Sequence, residues 1–193
     1  MVYRYMYAAY ADEAETFADI GGDCVMTVTL SRFRDMLFLY YETHEKDLAP
    51  EQVISGKTRP FPDGRHWFFM PDIFHYSRPL SDEHWERRIA GKRPSPRLNR
   101  LRREKMGSYI FYHHQLQEEH PGMCDKYGMI GLFDNYIFFY LELPEEPETT
   151  QYAGELSTDN TPMDKWNELM TSHFMPWEDV PVEWREIDVV LHR

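Results

Sequence analysis

The sequence predicts an α+β chain of two ferredoxin-like βαββαβ units, copies of one another, paired as a pseudo-dimer within a single polypeptide. Three observations carry this expectation. Residues 22 to 70 compared without gaps with those 100 positions later give ten identities in 49 pairs, against roughly three by chance, and self-similarity at a fixed spacing marks a duplicated unit. Each copy holds two runs rich in β-branched and aromatic residues around a short polar turn, the pattern of a hairpin. Each copy then places a helical pattern and a closing strand after the hairpin, which completes the βαββαβ order.

The elements follow in chain order. MVYRYMYAAY reads as a first strand, and ADEAETFADIGG as a short helix, with Asp12 as N-cap and glycine at its end. DCVMTVTLSRFRDMLFLYYETHE is the first hairpin with SRFRD as its turn; YGMIGLFDNYIFFYLELPE is the second, with FDN. SYIFYHHQL is expected as the first strand of copy two. Helices are expected near 62 to 75 and 162 to 174, the second opening on Thr161-Pro162, a cap followed by a proline at the first helical position. WREIDVVLHR closes the second copy. The pairs Gly22/Gly122, Cys24/Cys124, Phe33/Phe133, Phe38/Phe138, Tyr40/Tyr140, Glu42/Glu142, Pro62/Pro162 and Met70/Met170 fix the frame, which then slips by one to pair Trp85 with Trp184. The boundary falls in GKRPSPR, giving one repeat over 1–93 and another over 94–193.

Composition narrows the function. With 33 acids against 21 bases the formal net charge is −12, which disfavours nucleic acid or anionic membrane as a general partner, because phosphate contact needs a positive face. The longest apolar run, YIFFYL, is far below the roughly 18 residues of a membrane span. No secretory signal pattern opens the chain and two cysteines make no disulfide framework, so a cytoplasmic setting is expected. One basic stretch breaks the acidic picture: Arg87, Arg88, Lys92, Arg93, Arg97, Arg100, Arg102, Arg103 and Lys105. It reads as a solvated connector. The sharper alternative is a phosphate or polyanion site, although it lacks interleaved aromatics and a glycine-rich cradle.

RHWFFMPDIF at 65 to 74 resembles the RWW-x-x-M-x-D stretch of the L-rhamnose mutarotase family, and STDNTPMDKWNELMTS at 157 to 172 is similar to that family's STD followed by RWW-x-x-M-T. Tyr127, Ile130, Phe138 and Glu142 resemble its hairpin pattern, and DVVLH its terminal EVFHL. That family consists of dimeric α/β-barrel proteins of roughly half this length. The resemblance covers most of copy two and about two-thirds of copy one. It implies a pseudo-dimeric barrel, and interconversion of the α and β anomers of L-rhamnose or a related 6-deoxy sugar, with no cofactor and no metal. Beyond the small-molecule sugar it leaves room for a homodimer as partner.

The family sets a tyrosine and a catalytic histidine four apart, followed four residues later by Trp-Pro. Tyr109 and His113 match the letters, whereas Tyr112, Leu116 and His120-Pro121 match the frame with leucine at the histidine position. On a strand or on a helix Tyr109 and His113 share one side, so this pair is the catalytic expectation. Mutarotation needs one group to protonate the ring oxygen and another to take the proton from the anomeric hydroxyl, and histidine, with an ordinary pKa near 6.5, suits both. Apolar walls for a sugar are expected from Trp166, Tyr140, Met170 and Trp67, with His114 and Tyr112 beside the pair. Each residue also has a structural reading: a core histidine, core tryptophans, and Glu42 and Glu142 as strand ends. A zinc site from His113, His114 and His120 lacks the usual ligand spacing. Two other functions stay open, a cofactor-poor monooxygenase of the dimeric α/β-barrel type and a non-catalytic carbohydrate-binding or scaffold protein.

Overall fold

The computed structural model describes residues 1–122, 124–148, 158–180 and 184–193. The chain is α+β, with mostly antiparallel sheet and few helices. Its contacts divide it into two units: Met1–Pro71 with Pro79–Glu86 and Ile187–Arg193, and Asp72–Arg78 with Arg87–Glu186.

The principal strands are β1 (Tyr3–Tyr10), β2 (Val25–Phe33), β3 (Met36–Thr43), β4 (Phe68–Phe69), β5 (Asp72–His75), β6 (Arg97–Arg100), β7 (Met129–Phe133), β8 (Tyr136–Tyr140), β9 (Arg185–Glu186) and β10 (Asp188–His192). The helices are α1 (Asp82–Trp85), α2 (Met106–Glu119) and α3 (Trp166–Thr171).

The first unit is a five-stranded antiparallel sheet in the order β10-β2-β3-β1-β4. The second is β5-β7-β8-β6-β9, also antiparallel. The two orders match strand for strand, and the register makes the match exact to the residue. The hairpins correspond at an offset of 100: Phe33 pairs with Met36 across a two-residue loop, and Phe133 with Tyr136. The first loop residue is left-handed in both, Arg34 at φ 57° and Asp134 at φ 53°. The first strands correspond at 90, since Met36 faces Tyr10 and Tyr136 faces Arg100. The outer strands correspond at 117. Ala8 faces Phe68 as Leu98 faces Arg185, and Thr29 faces His192 as Met129 faces His75. Trp67 therefore corresponds to Trp184, not Trp85 to Trp184, and the Pro62/Pro162 and Met70/Met170 identities are incidental: Met70 follows a strand, while Met170 lies in α3.

Several expected elements differ. ADEAETFADIGG is not a helix. Arg32 donates to the carbonyls of Asp12 and Glu15 at 2.8 and 2.9 Å, and Ala18–Asp19 pairs with Ile54–Ser55, so the backbone groups of this stretch are met outside a helix. Residues 62 to 75 hold β4 and β5 rather than a helix, because Pro71 offers no N–H and pushes the residue before it toward extended backbone. SYIFYHHQL is helix α2, not a strand. Its β-forming residues yield to a buried stripe of Tyr109, His113 and Leu116 at helical spacing. The strand role passes to Arg97–Arg100, so that part of the basic stretch is sheet and not connector. The hairpins form where expected, and a helix follows the second one, but as α3 after a 3-10 turn Met163–Lys165, with no cap from Thr161, whose hydroxyl is taken by Glu119. WREIDVVLHR does not close the second copy as one strand: it breaks at buried Ile187, so that β9 joins the second sheet and β10 the first.

Each sheet buries one face against its own connections. In the first unit Val28, Leu30, Leu37, Leu39 and Tyr41 pack with Leu48, Val53, Ile54 and Trp67 from the loops. In the second, Ile130 and Ile137 pack with Tyr109 and Leu116 of α2 and Met170 of α3.

Candidate functional site

The sequence motifs converge on the helix-covered face of the second unit. α2 turns Tyr109 and His113 inward from successive turns, their ring centroids 3.9 Å apart. Trp166, the first residue of α3, meets His113 edge-on at 5.1 Å, and Phe74 of β5 does so at 5.2 Å. Met170 is buried in the same cluster.

The two helices are held in place by Glu119, the last residue of α2. Its carboxylate accepts from the Thr158 and Thr161 hydroxyls, both at 2.5 Å, and from the amides of Asn160 and Thr161 at 3.0 and 2.7 Å. Although desolvation raises its pKa, these bonds and one from Gln115 bring it down to about 2. The Thr-Asp-Asn-Thr stretch that resembles a family motif is thus the latch that carries the chain into α3. Ser157 of that motif lies outside the described residues.

The protonation states of the pair are set by burial. His113 is 6% exposed, and desolvation lowers its pKa to about 3. Its Nδ1 lies 3.0 Å from the Tyr109 carbonyl, which fixes the proton there and leaves Nε2 as a lone-pair acceptor with no partner among the described residues. Tyr109 is fully buried, and burial raises its phenol well above 10. Its hydroxyl finds no hydrogen-bond partner among the described residues. One buried donor and one acceptor, both unmet, thus share an aromatic cluster.

Of the other expected residues, one joins this cluster and three do not. Tyr112 is half-buried and packs against the same cluster, with its ring 6.0 Å from that of His173, whereas His114 is exposed. Tyr140 faces away from α2 and donates to Glu142 at 2.8 Å. Trp67 is in the core of the first unit. Among the described residues no group of three or more His, Cys, Asp or Glu side chains is placed to hold a metal ion.

A polar network on the second unit went unforeseen. Lys92 reaches Asp125 at 2.8 Å and Lys126 reaches Glu146 at 3.0 Å, all four side chains nearly fully buried. Arg87 grips Glu142 at 2.6 and 3.3 Å. All three cations lie over the Tyr127 ring, at 4.0 Å for Arg87 and 5.0 Å for each lysine. Asp125 also accepts from the amides of Glu142 and Glu146 at 2.9 Å. Burial raises its carboxyl against the pull of Lys92 and these amides. The first unit carries a smaller version: Tyr40 donates to Glu42 at 2.5 Å, Arg4 donates to Tyr40 at 3.0 Å, and the Arg4 guanidinium lies 5.0 Å from the Trp85 ring. The Tyr-x-Glu repeat at 40/42 and 140/142 was the visible signal for both. Comparison of the chain with protein-family models, curated proteins and solved structures gives no match.

Proposed function

We propose that the α2–α3 face of the second unit binds a sugar and interconverts its anomers, with L-rhamnose or a related 6-deoxy sugar as substrate. The observation that carries this reading is the unmet pair, Tyr109 Oη as donor and His113 Nε2 as acceptor, within one aromatic cluster. The resemblance of the Tyr109-x-x-x-His113 and Trp166 motifs to the L-rhamnose mutarotases supports it. So does the matching strand order of the two sheets, which agrees with two repeats of ferredoxin-like strand order.

The chemistry follows from the protonation states. Nε2 of neutral His113 takes the proton of the anomeric hydroxyl while the Tyr109 hydroxyl protonates the ring oxygen. The C1–O5 bond breaks and the carbonyl forms. Rotation about C1–C2 presents the other carbonyl face, and both protons return as the ring recloses. Imidazolium and phenolate arise side by side, so each charge forms next to its opposite. Phe74 and Trp166 offer flat walls to the C–H face of the sugar.

The depth of His113 favours one rival, binding without turnover. Saturation-transfer NMR between the anomers separates the two. Acceleration by the wild-type chain is expected, with a loss of about 10²-fold or more in His113→Ala, the range of a positioned acid–base group. Sugar binding with no acceleration establishes the rival. Acceleration undiminished in a folded His113→Ala removes the assignment.

A further inference from the structure

Three cations of the basic stretch are held by carboxylates: Arg87 by Glu142, Lys92 by Asp125, and Arg103 by Asp134 through two bonds of 2.7 and 2.6 Å. Arg102 is not among them. It is exposed, and its guanidinium has no partner among the described residues. It lines a cavity of about 470 Å³ on the second unit, together with Arg100, Arg103, Glu104, Asn135, Tyr136 and Met175. That volume falls in the range of small-molecule sites.

The polar groups of this cavity are chiefly donors. The Tyr136 hydroxyl also lacks a partner among the described residues. Arg100 is anchored by the Pro176 carbonyl at 2.8 Å and by the Trp177 ring at 4.5 Å, which fixes its charge at the cavity wall. Asp134 neutralises Arg103, and Glu104 opposes one of the two remaining guanidinium charges. The balance is a positive, donor-rich cavity on an acidic protein.

We propose that this cavity binds a small phosphate monoester. Arg102 and Tyr136 hold the phosphoryl oxygens, Arg100 supplies fixed charge, and the organic part lies along Tyr136 and Met175. Two guanidinium charges beside a hydroxyl donor attract a phosphate dianion more strongly than a singly charged carboxylate. None of these residues belongs to the Tyr109–His113 cluster, so the proposal stands or falls separately from anomer exchange.

The test is calorimetric titration of the full chain with phenyl phosphate, and with inorganic phosphate and benzoate as comparison probes. Phenyl phosphate is expected to bind with a Kd below about 1 mM and to weaken as salt is raised. Arg102→Ala should weaken it about tenfold or more, as loss of a charge-assisted bond does. Glu104→Gln should tighten it, by roughly threefold in the range of a surface charge pair. Both residues are exposed, so these variants should retain the fold. Affinity unchanged in Arg102→Ala, benzoate bound as tightly as phenyl phosphate, inorganic phosphate bound equally well, or no binding at about 10 mM would each overturn the proposal.

Discussion

Replacing Tyr109 with phenylalanine tests the site through two measurements that move in opposite directions. The hydroxyl is buried, and no donor or acceptor among the described residues meets it. An unsatisfied buried hydroxyl costs about 1–3 kcal/mol, and phenylalanine keeps the ring that packs on His113 at 3.9 Å and Phe174 at 5.8 Å. Tyr109→Phe should therefore stabilise the free protein by about 1 kcal/mol or more, which for a chain of this size raises Tm by roughly 2–4 °C per kcal/mol. The same variant should lose anomer exchange, because the ring oxygen has lost its proton donor. It should also lose most of the added stability that saturating sugar gives the wild type, since that gain scales with affinity for the folded state. Calorimetric unfolding with and without sugar, paired with exchange NMR, reads all three. A variant destabilised by about 1 kcal/mol would mean that the hydroxyl is bonded in the free protein. A stabilised variant with undiminished exchange would remove Tyr109 from the chemistry altogether.

Two further expectations rest on the same unit. His113 has its pKa lowered to about 3 by desolvation, against about 6.5 when unfolded. The unfolded chain thus binds the extra proton between these values, so this residue's contribution to stability is intact above pH 6.5 and falls as pH drops toward 3, by a little over 1 kcal/mol per unit; the stability difference between wild type and His113→Gln from urea unfolding should be constant above pH 6.5 and shift against the wild type below it, and a difference that does not change with pH would refute the burial argument. Lys92→Met strips the partner from nearly fully buried Asp125 and should cost about 3–5 kcal/mol, whereas the double change Lys92→Met with Asp125→Leu should recover part of it; equal losses in the two variants would show that the pair is not the source.

The hairpins were legible because alternation and a two-residue loop specify them locally. Phe33 to Met36 and Phe133 to Tyr136 carry the same frame, and a shift of one residue would send every side chain to the wrong face. The convergence of Tyr109, His113, Trp166 and Met170 was legible in part, since a helical stripe through 109, 113 and 116 was one of two geometries the letters allowed. The register of the outer strands was not legible. At an offset of 117 only Trp67/Trp184 and His75/His192 are identical across strands β4, β5, β9 and β10 and the tryptophans before them. A gap-free frame of 100 offers accidental identities there instead. The missing helix at ADEAETFADIGG was hidden for another reason. What holds that segment out of a helix is Arg32, a residue of the following strand, whose guanidinium occupies two of its carbonyls.

The two units show how one sheet order can be completed in two ways. A sheet with an apolar face must cover it. The second unit does so with α2 and α3, and these helices bring a histidine, a tyrosine and a tryptophan onto that face. In the first unit the same face is covered by Phe17, Leu48, Val53 and Ile54 from irregular connections, and Trp67 precedes β4 where Trp184 precedes β9. No histidine precedes residue 44 of the sequence. The positions that would answer to α2 lie between β1 and β2, so the first unit has no imidazole to place there. What the copies share instead is the Tyr-x-Glu device on the opposite face of the sheet, each glutamate buried and bonded to its tyrosine. The two halves thus share the sheet register and one polar device, while the Tyr109–His113 pair depends on helices that only the second half forms. The proposed chemistry therefore belongs to one site per chain.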